Sequence, residues 1–228
     1  MAFHFSPKTV TDGLIFAVDA ANQKSYPGTG TTANDLTNNN TTSTLVNGVG
    51  FDTTFGGAFE FDGTNDYVEI SYSGDLTTQS FTFMFFAKSD VNSGNATTFL
   101  GLSNGGDFAF KTYAMQTWVN VNQFLAFVGN NGSYGTYNFY LDGDFRDWNF
   151  YCTVLTPTTI KTWINEDLKY DSNNSRRGSF DRIWIGSRGN AYFNGVIPNL
   201  MVYNRALTSQ EVLQNYNATK GRFGLWVH

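Results

Sequence analysis

Short segments of alternating apolar and polar residues recur along the chain, each closed by Gly, Asn, Asp or Thr. A period of two bounded by turn residues predicts strands. Leu14 to Asp19 reads as an apolar strand, and Phe59-Glu60-Phe61 runs into the turn Asp62-Gly63-Thr64-Asn65 and on to Tyr67-Val68-Glu69-Ile70, a hairpin-like unit. Phe81, Phe83 and Phe85 fall on one face of a strand, with Thr82, Met84 and Phe86 on the other. Further strands are predicted at Thr97 to Leu102, Asp107 to Tyr113, Trp118 to Val128, Tyr134 to Leu141 and Trp148 to Leu155. Ile160 to Ile164, Arg182 to Ile185 and Val196 to Tyr203 complete about a dozen. So many strands exceed one open sheet, so two sheets are expected to pack face to face. The pattern shifts to a helical period once. Thr208-Ser209-Gln210-Glu211 is a capping box, and Val212, Leu213 and Tyr216 follow on one face of a short helix over a sheet edge or corner.

Composition agrees with an all-β reading. The 228 residues hold 25 Asn, 27 Thr and 23 Gly, with 17% aromatic and only 14% charged residues. That mixture favours strands and turns, and a mostly helical chain is excluded. The Asn/Thr stretch Asn34 to Thr44 and the polar segment Asp171 to Ser179 read as long loops within one domain. Residues 1–12 read as an arm, 13–221 as the domain and 222–228 as a tail.

The inventory of reactive groups is short. His4 and His228 are the only histidines and lie at the ends, so a His base or His-rich zinc site would need a terminus as its working element. Cys152 is the only cysteine and sits in the apolar run Phe150 to Val154, where a thiol is most simply a small core residue. A net charge of −5 and scattered basic residues argue against nucleic acid as a partner. No apolar run is long enough for a membrane-spanning helix. The first residues lack a secretory signal, so synthesis in the cytoplasm, with exit by lysis or assembly into a particle, is expected.

The run Phe59-Glu60-Phe61-Asp62-Gly63-Thr64-Asn65-Asp66-Tyr67-Val68 resembles the F-x-F-D-G-x-x-D-Y-V signature of laminin G-like (concanavalin A-like lectin/glucanase) domains. Gly195 to Val212 is similar to that family's closing strand and helix, and Trp148 to Tyr151 and Lys161 to Asn165 to its middle strands. The resemblance implies a two-sheet antiparallel jelly-roll sandwich with one short C-terminal helix. Where the family often carries acids after Gly-x-Ile, this chain has Pro198-Asn199, so contacts made by those carboxylates are expected to be lost. Leu14 to Gly28 and Asn215 to Gly224 also resemble laminin G-like domains in structural proteins of tailed bacteriophages. That resemblance implies a virion surface protein, such as a capsid decoration, neck or tail-fibre subunit, in contact with other virion proteins and with copies of itself.

Three kinds of chemistry can be weighed on this scaffold. Glucanases of the fold resemble one another in an E-x-D-x-x-E or E-x-D-x-E strand, because two carboxylates must flank the scissile bond. The four glutamates here, Glu60, Glu69, Glu166 and Glu211, have no such partner, and Asp142, Asp144 and Asp147 lie in a turn-like stretch. The expectation is no enzyme. A glycan needs an aromatic ring for its C–H faces and planar amides for its hydroxyls. Trp118, Asn120 and Asn122 would share a face of one strand, and Tyr134, Thr136, Asn138 and Tyr140 form a similar row, so either row could line an outer groove. The alternative is that Trp118 is a core or interface aromatic and the amides solvate an outer face. Related jelly rolls often hold a structural calcium; Asp62, Asn65 and Asp66 offer clustered oxygens and Asp19 another, though the same residues also suit simple Asx turns. No cofactor is required. The apolar residues of the arm and tail, Phe3, Phe5, Phe223, Leu225, Trp226 and Val227, are offered as contacts to neighbouring subunits or to the sandwich itself.

Overall fold

The computed structural model describes residues 7–90, 97–104, 111–118, 123–130, 133–140, 145–173, 178–189 and 191–225, with the strands between 111 and 140 described as backbone. Seventeen strands occur among these residues. In chain order they are β1 (Leu14–Asp19), β2 (Thr32–Asn34), β3 (Thr42–Val46), β4 (Gly50–Asp52), β5 (Ala58–Asp62), β6 (Tyr67–Asp75), β7 (Phe81–Ser89) and β8 (Thr97–Ser103). There follow β9 (Lys111–Trp118), β10 (Gln123–Asn130), β11 (Ser133–Tyr140), β12 (Asn149–Leu155), β13 (Thr159–Ile164), β14 (Asp167–Asn173), β15 (Ser179–Ile185), β16 (Asn194–Ile197) and β17 (Asn199–Tyr203). A helix, α1 (Ser209–Thr219), closes the fold.

The strands form two antiparallel sheets, the expected jelly-roll sandwich. One has nine strands in the order β14-β13-β12-β7-β16-β5-β4, with β17 also paired to β7 and β1 paired to β17. The other runs β11-β10-β9-β8-β15-β6-β3-β2. The alternation of β7 settles the layering. Phe81, Phe83 and Phe85 point into the core between the sheets, where they meet Val68, Ile70, Leu100, Leu102, Phe180, Ile183 and Ile185 from the other sheet. Met84 and Phe86 point the opposite way, into a second cluster with Phe150, Cys152, Trp163, Tyr203, Val212, Tyr216 and Phe223. Strand β7 is therefore buried on both faces, and α1 lies over the outer face of the nine-stranded sheet, not over an edge.

Several sequence expectations change in detail. Residues 118–128 are not one strand: β9 ends at Trp118, β10 begins at Gln123, and those two residues pair across an antiparallel ladder. Of the segment expected at Asp107 to Tyr113, residues 107–110 lie outside the described residues, and the strand described from Lys111 extends to Trp118. Pro198 divides 196–203 into β16 and β17, since proline has no N–H for the ladder. The stretches read as loops take in the last residue of β2, the first three of β3 and the last three of β14. Asn199 does not leave its position without a contact, because its Oδ1 accepts the Phe86 N–H at 3.0 Å. The amide thus replaces one acceptor that an acid would supply.

Both ends of the described chain are fastened to the cluster under α1. Asn215 is fully buried; its Oδ1 accepts the Val10 N–H at 2.7 Å and its Nδ2 donates to the Tyr203 hydroxyl at 3.0 Å. That hydroxyl donates in turn to the Val10 carbonyl at 2.9 Å. Phe223, offered by the sequence to neighbouring subunits or to the sandwich itself, stacks on Phe86 within its own domain, centroids 4.1 Å apart. Leu225 packs against the same cluster.

At the other end of the helix the capping box forms as read: Thr208 Oγ1 accepts the Glu211 N–H, and Glu211 Oε2 accepts the Thr208 N–H. Arg205 grips the same carboxylate with Nη1 at 2.9 Å and Nη2 at 2.6 Å. These bonds, Arg205 foremost, pull the Glu211 carboxyl from 4.5 to about 2. A carboxyl whose pKa is depressed by folding stabilises the fold above its ordinary value, and loses that contribution as the pH falls through the lower one. The melting temperature is therefore expected to fall between about pH 5 and pH 2, and to fall less steeply in Glu211→Gln. Equal slopes in the two proteins would show that this contact carries no pH dependence.

Candidate glycan-binding face and the acidic turns

Register places two of the aromatic positions named from sequence side by side. Gln123 of β10 lies opposite Trp118 of β9 and opposite Tyr140 of β11. Residues directly opposite in antiparallel strands share a sheet face. Trp118, Gln123 and Tyr140 thus form one transverse row at the end of the eight-stranded sheet, and Tyr134 lies on the same face of β11 by its even spacing from Tyr140. Asn120 and Asn122 lie outside the described residues. The pairing also supplies what sequence reading missed: Gln123, an amide between the two aromatic positions.

The same face continues inward through β8, β15 and β6. Gly101 of β8 is opposite Ala114 of β9 and opposite Trp184 of β15, and Trp184 is opposite Glu69 of β6. Trp184 Nε1 donates to Glu69 Oε2 at 2.9 Å, and Arg182 Nη1 lies 3.5 Å from the same oxygen. Tyr67 meets the Trp184 ring edge-on, centroids 5.7 Å apart. Burial, with the nearby Glu69 carboxylate, raises the pKa of Tyr67, so its hydroxyl stays a neutral donor and acceptor. Trp184 is only 5% exposed, which makes it a support, while Arg182 and Tyr67 keep accessible surface. The segment after β15 folds over this face, since a Cβ on Gly101 would stand 2.5 Å from the Ser187 carbonyl oxygen. Aromatic and amide positions in one row, with a guanidinium and a carboxylate further along the same face, are residue types that hold hydroxyl-rich ligands by stacking and paired hydrogen bonds.

The four oxygen-bearing residues named for a cation do not share one place. Asp19, at the end of β1, is bonded through both carboxylate oxygens to Arg222 Nη1, at 2.8 and 2.9 Å. Asp62 Oδ1 accepts the Thr64 N–H at 2.7 Å, an Asx turn, and the Asn65 carbonyl accepts Asn47 Nδ2 at 3.0 Å. Asp66 is buried: Oδ2 accepts the Asp62 N–H at 3.3 Å, Oδ1 has no partner, and desolvation raises the carboxyl pKa. Among the described residues no group of three or more His, Cys, Asp or Glu is arranged to hold a metal. Calcium takes six to eight oxygens, and the carboxylates of this turn offer two that are not already bonded, Asp62 Oδ2 and Asp66 Oδ1.

Other reactive groups are muted. Cys152 is fully buried in the cluster under α1, and burial pushes its thiol well above the ordinary value. Glu69 is held by Trp184 and Arg182, and Glu211 by Arg205 and Thr208. No helix among the described residues is long and apolar enough to cross a membrane.

Two antiparallel sheets around an aromatic core, with one helix packed outside, define a lectin-type jelly roll. Residues 62–213 match the family described as the concanavalin A-like lectin/glucanases superfamily, and the chain belongs to that laminin G-like family. No curated protein sequence matches the chain. Among solved structures, the receptor binding domain of a botulinum neurotoxin C/D mosaic superposes with a TM-score of 0.71 at 15% identity, over 92% of this chain and 52% of that one. The serotype D ligand binding domain in complex with N-acetylneuraminic acid gives 0.71 at 14% identity, over 91% and 51%. The type C protein, whose cell entry depends on interaction with two ganglioside molecules, gives 0.68 at 14%, over 91% and 51%. The chain spans about half the length of these proteins, and at such identities the likeness is one of fold.

Proposed function

We propose that the chain is a non-enzymatic, lectin-like module on the surface of a tailed-phage particle, where it holds host glycan on the outer face of its eight-stranded sheet. The observation that carries this reading is the row Trp118–Gln123–Tyr140, in which an amide position is bracketed by two aromatic positions on one face. The solved structures of like fold include domains with sugar-bearing ligands of their own. The particle context is supported by the two segments that resemble phage structural proteins, Leu14 to Gly28 and Asn215 to Gly224, which the Asp19–Arg222 ion pair joins in space. In that setting the module contacts other virion proteins and copies of itself.

A glycan array tests the binding. The wild-type chain is expected to retain at least one host-surface glycan, and Trp118→Ala to abolish that retention while the protein stays folded. Retention of no glycan, or unchanged retention by the variant, overturns the reading. The module works without calcium in this account, because Asp19 serves Arg222, while Asp62 Oδ1 and the Asn65 carbonyl serve their turn. Chelation with EDTA is expected to leave the melting temperature unchanged; a fall of several degrees, restored by calcium, would assign a structural ion to Asp62, Asn65 and Asp66.

A further inference from the structure

A second aromatic position is displayed on the other side of the sandwich, at the rim of the nine-stranded sheet. Phe55 lies in the 3₁₀ turn Thr54–Gly56 with φ 51° and ψ 30°, and it is 43% exposed. The left-handed region disfavours a bulky side chain, and such outliers persist only where surrounding bonds over-determine them. Those bonds are present. Arg222 Nε donates to the Phe55 carbonyl at 2.8 Å, its Nη2 to the Gly57 carbonyl at 2.6 Å, and its Nη1 to the Asp19 carboxylate. Asp52 Oδ1 accepts the Thr54 N–H at 2.6 Å on the near side of the turn.

The ring is supported from behind. Trp148 meets it edge-on, with centroids 5.6 Å apart at 85°, and Phe223 lies 6.1 Å away. Its open side borders a shallow, wide-open cleft of about 700 Å³, ringed by Asp19, Ala21, Asn22, Gln23, Lys24 and Arg222. That volume admits a single sugar ring with room to spare. Asn22 spends its Oδ1 on the Lys24 N–H and keeps its amide donors. The Lys24 ammonium enters no ion pair among the described residues, so it can meet a hydroxyl or a carboxylate.

We propose that this rim cleft is a second carbohydrate site, taking one pyranose ring with its C–H face on Phe55 and its polar edge toward Asn22, Gln23 and Lys24. The inference rests on the reading of the chain as a glycan-binding module and adds a site independent of the β9–β11 row. A locked exposed aromatic, backed by two rings and fronted by amides and an ammonium, fits a ligand with one apolar face and a hydroxyl-rich rim. Neutral and acidic sugars share that chemistry, and the experiment separates them.

The test is an array of neutral and acidic glycans probed with the full chain, Phe55→Ala, Lys24→Ala, Gln23→Ala and Trp118→Ala, with affinities measured by titration for each glycan retained. Phe55→Ala is expected to weaken one set of glycans by about tenfold or more, a set that Trp118→Ala leaves bound. Loss in Lys24→Ala confined to acidic members supports an acidic sugar, and loss of neutral members in Gln23→Ala a neutral one. Should Phe55→Ala fail to fold, the Lys24 and Gln23 variants, both altered at an exposed turn, carry the same test. If all three cleft variants bind every glycan as the wild type does, the cleft is not a sugar site, while the Trp118 reading survives. If the wild type retains nothing, both fall.

Discussion

Replacing Phe86 with alanine is expected to destabilise the domain by about 3–5 kcal/mol, the usual cost of emptying a buried phenylalanine site. Phe86 is fully buried on the outer face of β7, a strand paired with β12, β16 and β17 and therefore held on both edges. Its ring stacks on Phe223 at 4.1 Å and 24° and lies 5.2 Å from Phe150, which in turn meets Tyr216 of α1 at 5.4 Å. Alanine would leave a void lined by rings fixed on other strands and on the helix, which cannot close in. Urea denaturation measures the loss. A cost under about 1 kcal/mol would mean that the helix layer does not pack on the sheet as described.

A similar or larger loss is expected from Gly195→Ala, for a different reason. Gly195 of β16 stands opposite Phe61 of β5 and Ser89 of β7. Its φ is +138°, a region reserved for glycine. An added Cβ would lie 2.3 Å from the Lys88 carbonyl oxygen and 2.8 Å from the Ser89 Cα, both backbone atoms of a central strand. The strand would have to separate, so a cost above about 3 kcal/mol or failure to accumulate folded protein is expected. Gly30→Ala separates the two causes, since φ there is +92° but nothing lies within 4 Å. That variant should cost only the conformational part, about 1–2 kcal/mol. Equal losses at the two glycines would contradict the steric argument.

Legibility in the sequence followed burial. Strand β7 could be read because both faces are apolar in alternation, Phe81, Phe83 and Phe85 against Met84 and Phe86. The helix start could be read because a capping box is a local signature. Strand β3 could not, because Thr42-Ser43-Thr44 looks like loop; Ser43 is nevertheless fully buried and its hydroxyl donates to the Ala33 carbonyl at 2.8 Å. Strand β14 hid for the opposite reason. It is an edge strand with no fully buried residue, so Asp167-Leu168-Lys169-Tyr170-Asp171 carries little periodicity. The division into β9 and β10 was missed because the alternation of Val119-Asn120-Val121-Asn122 reads equally well as continued strand.

Of the candidate sites, sequence reached the aromatic positions and missed their partners. Gln123 emerges only once the register of β9, β10 and β11 is known. The Asp19–Arg222 pair spans 203 residues in the chain, and nothing local to either residue announces the other. Phe55 carries no sign of its left-handed backbone, because that conformation is imposed by Arg222 from the far end of the chain. Local pattern fixes which residues enter the core; long-range register and ion pairs decide which surface groups meet.

The account is tested most directly by incubating the purified chain with a glycan it retains and counting newly formed reducing ends over time, alongside the binding isotherm. Saturable retention with the reducing-end count flat is the predicted result. A steady rise in reducing ends, or no retention of any glycan by the wild-type chain, would contradict it.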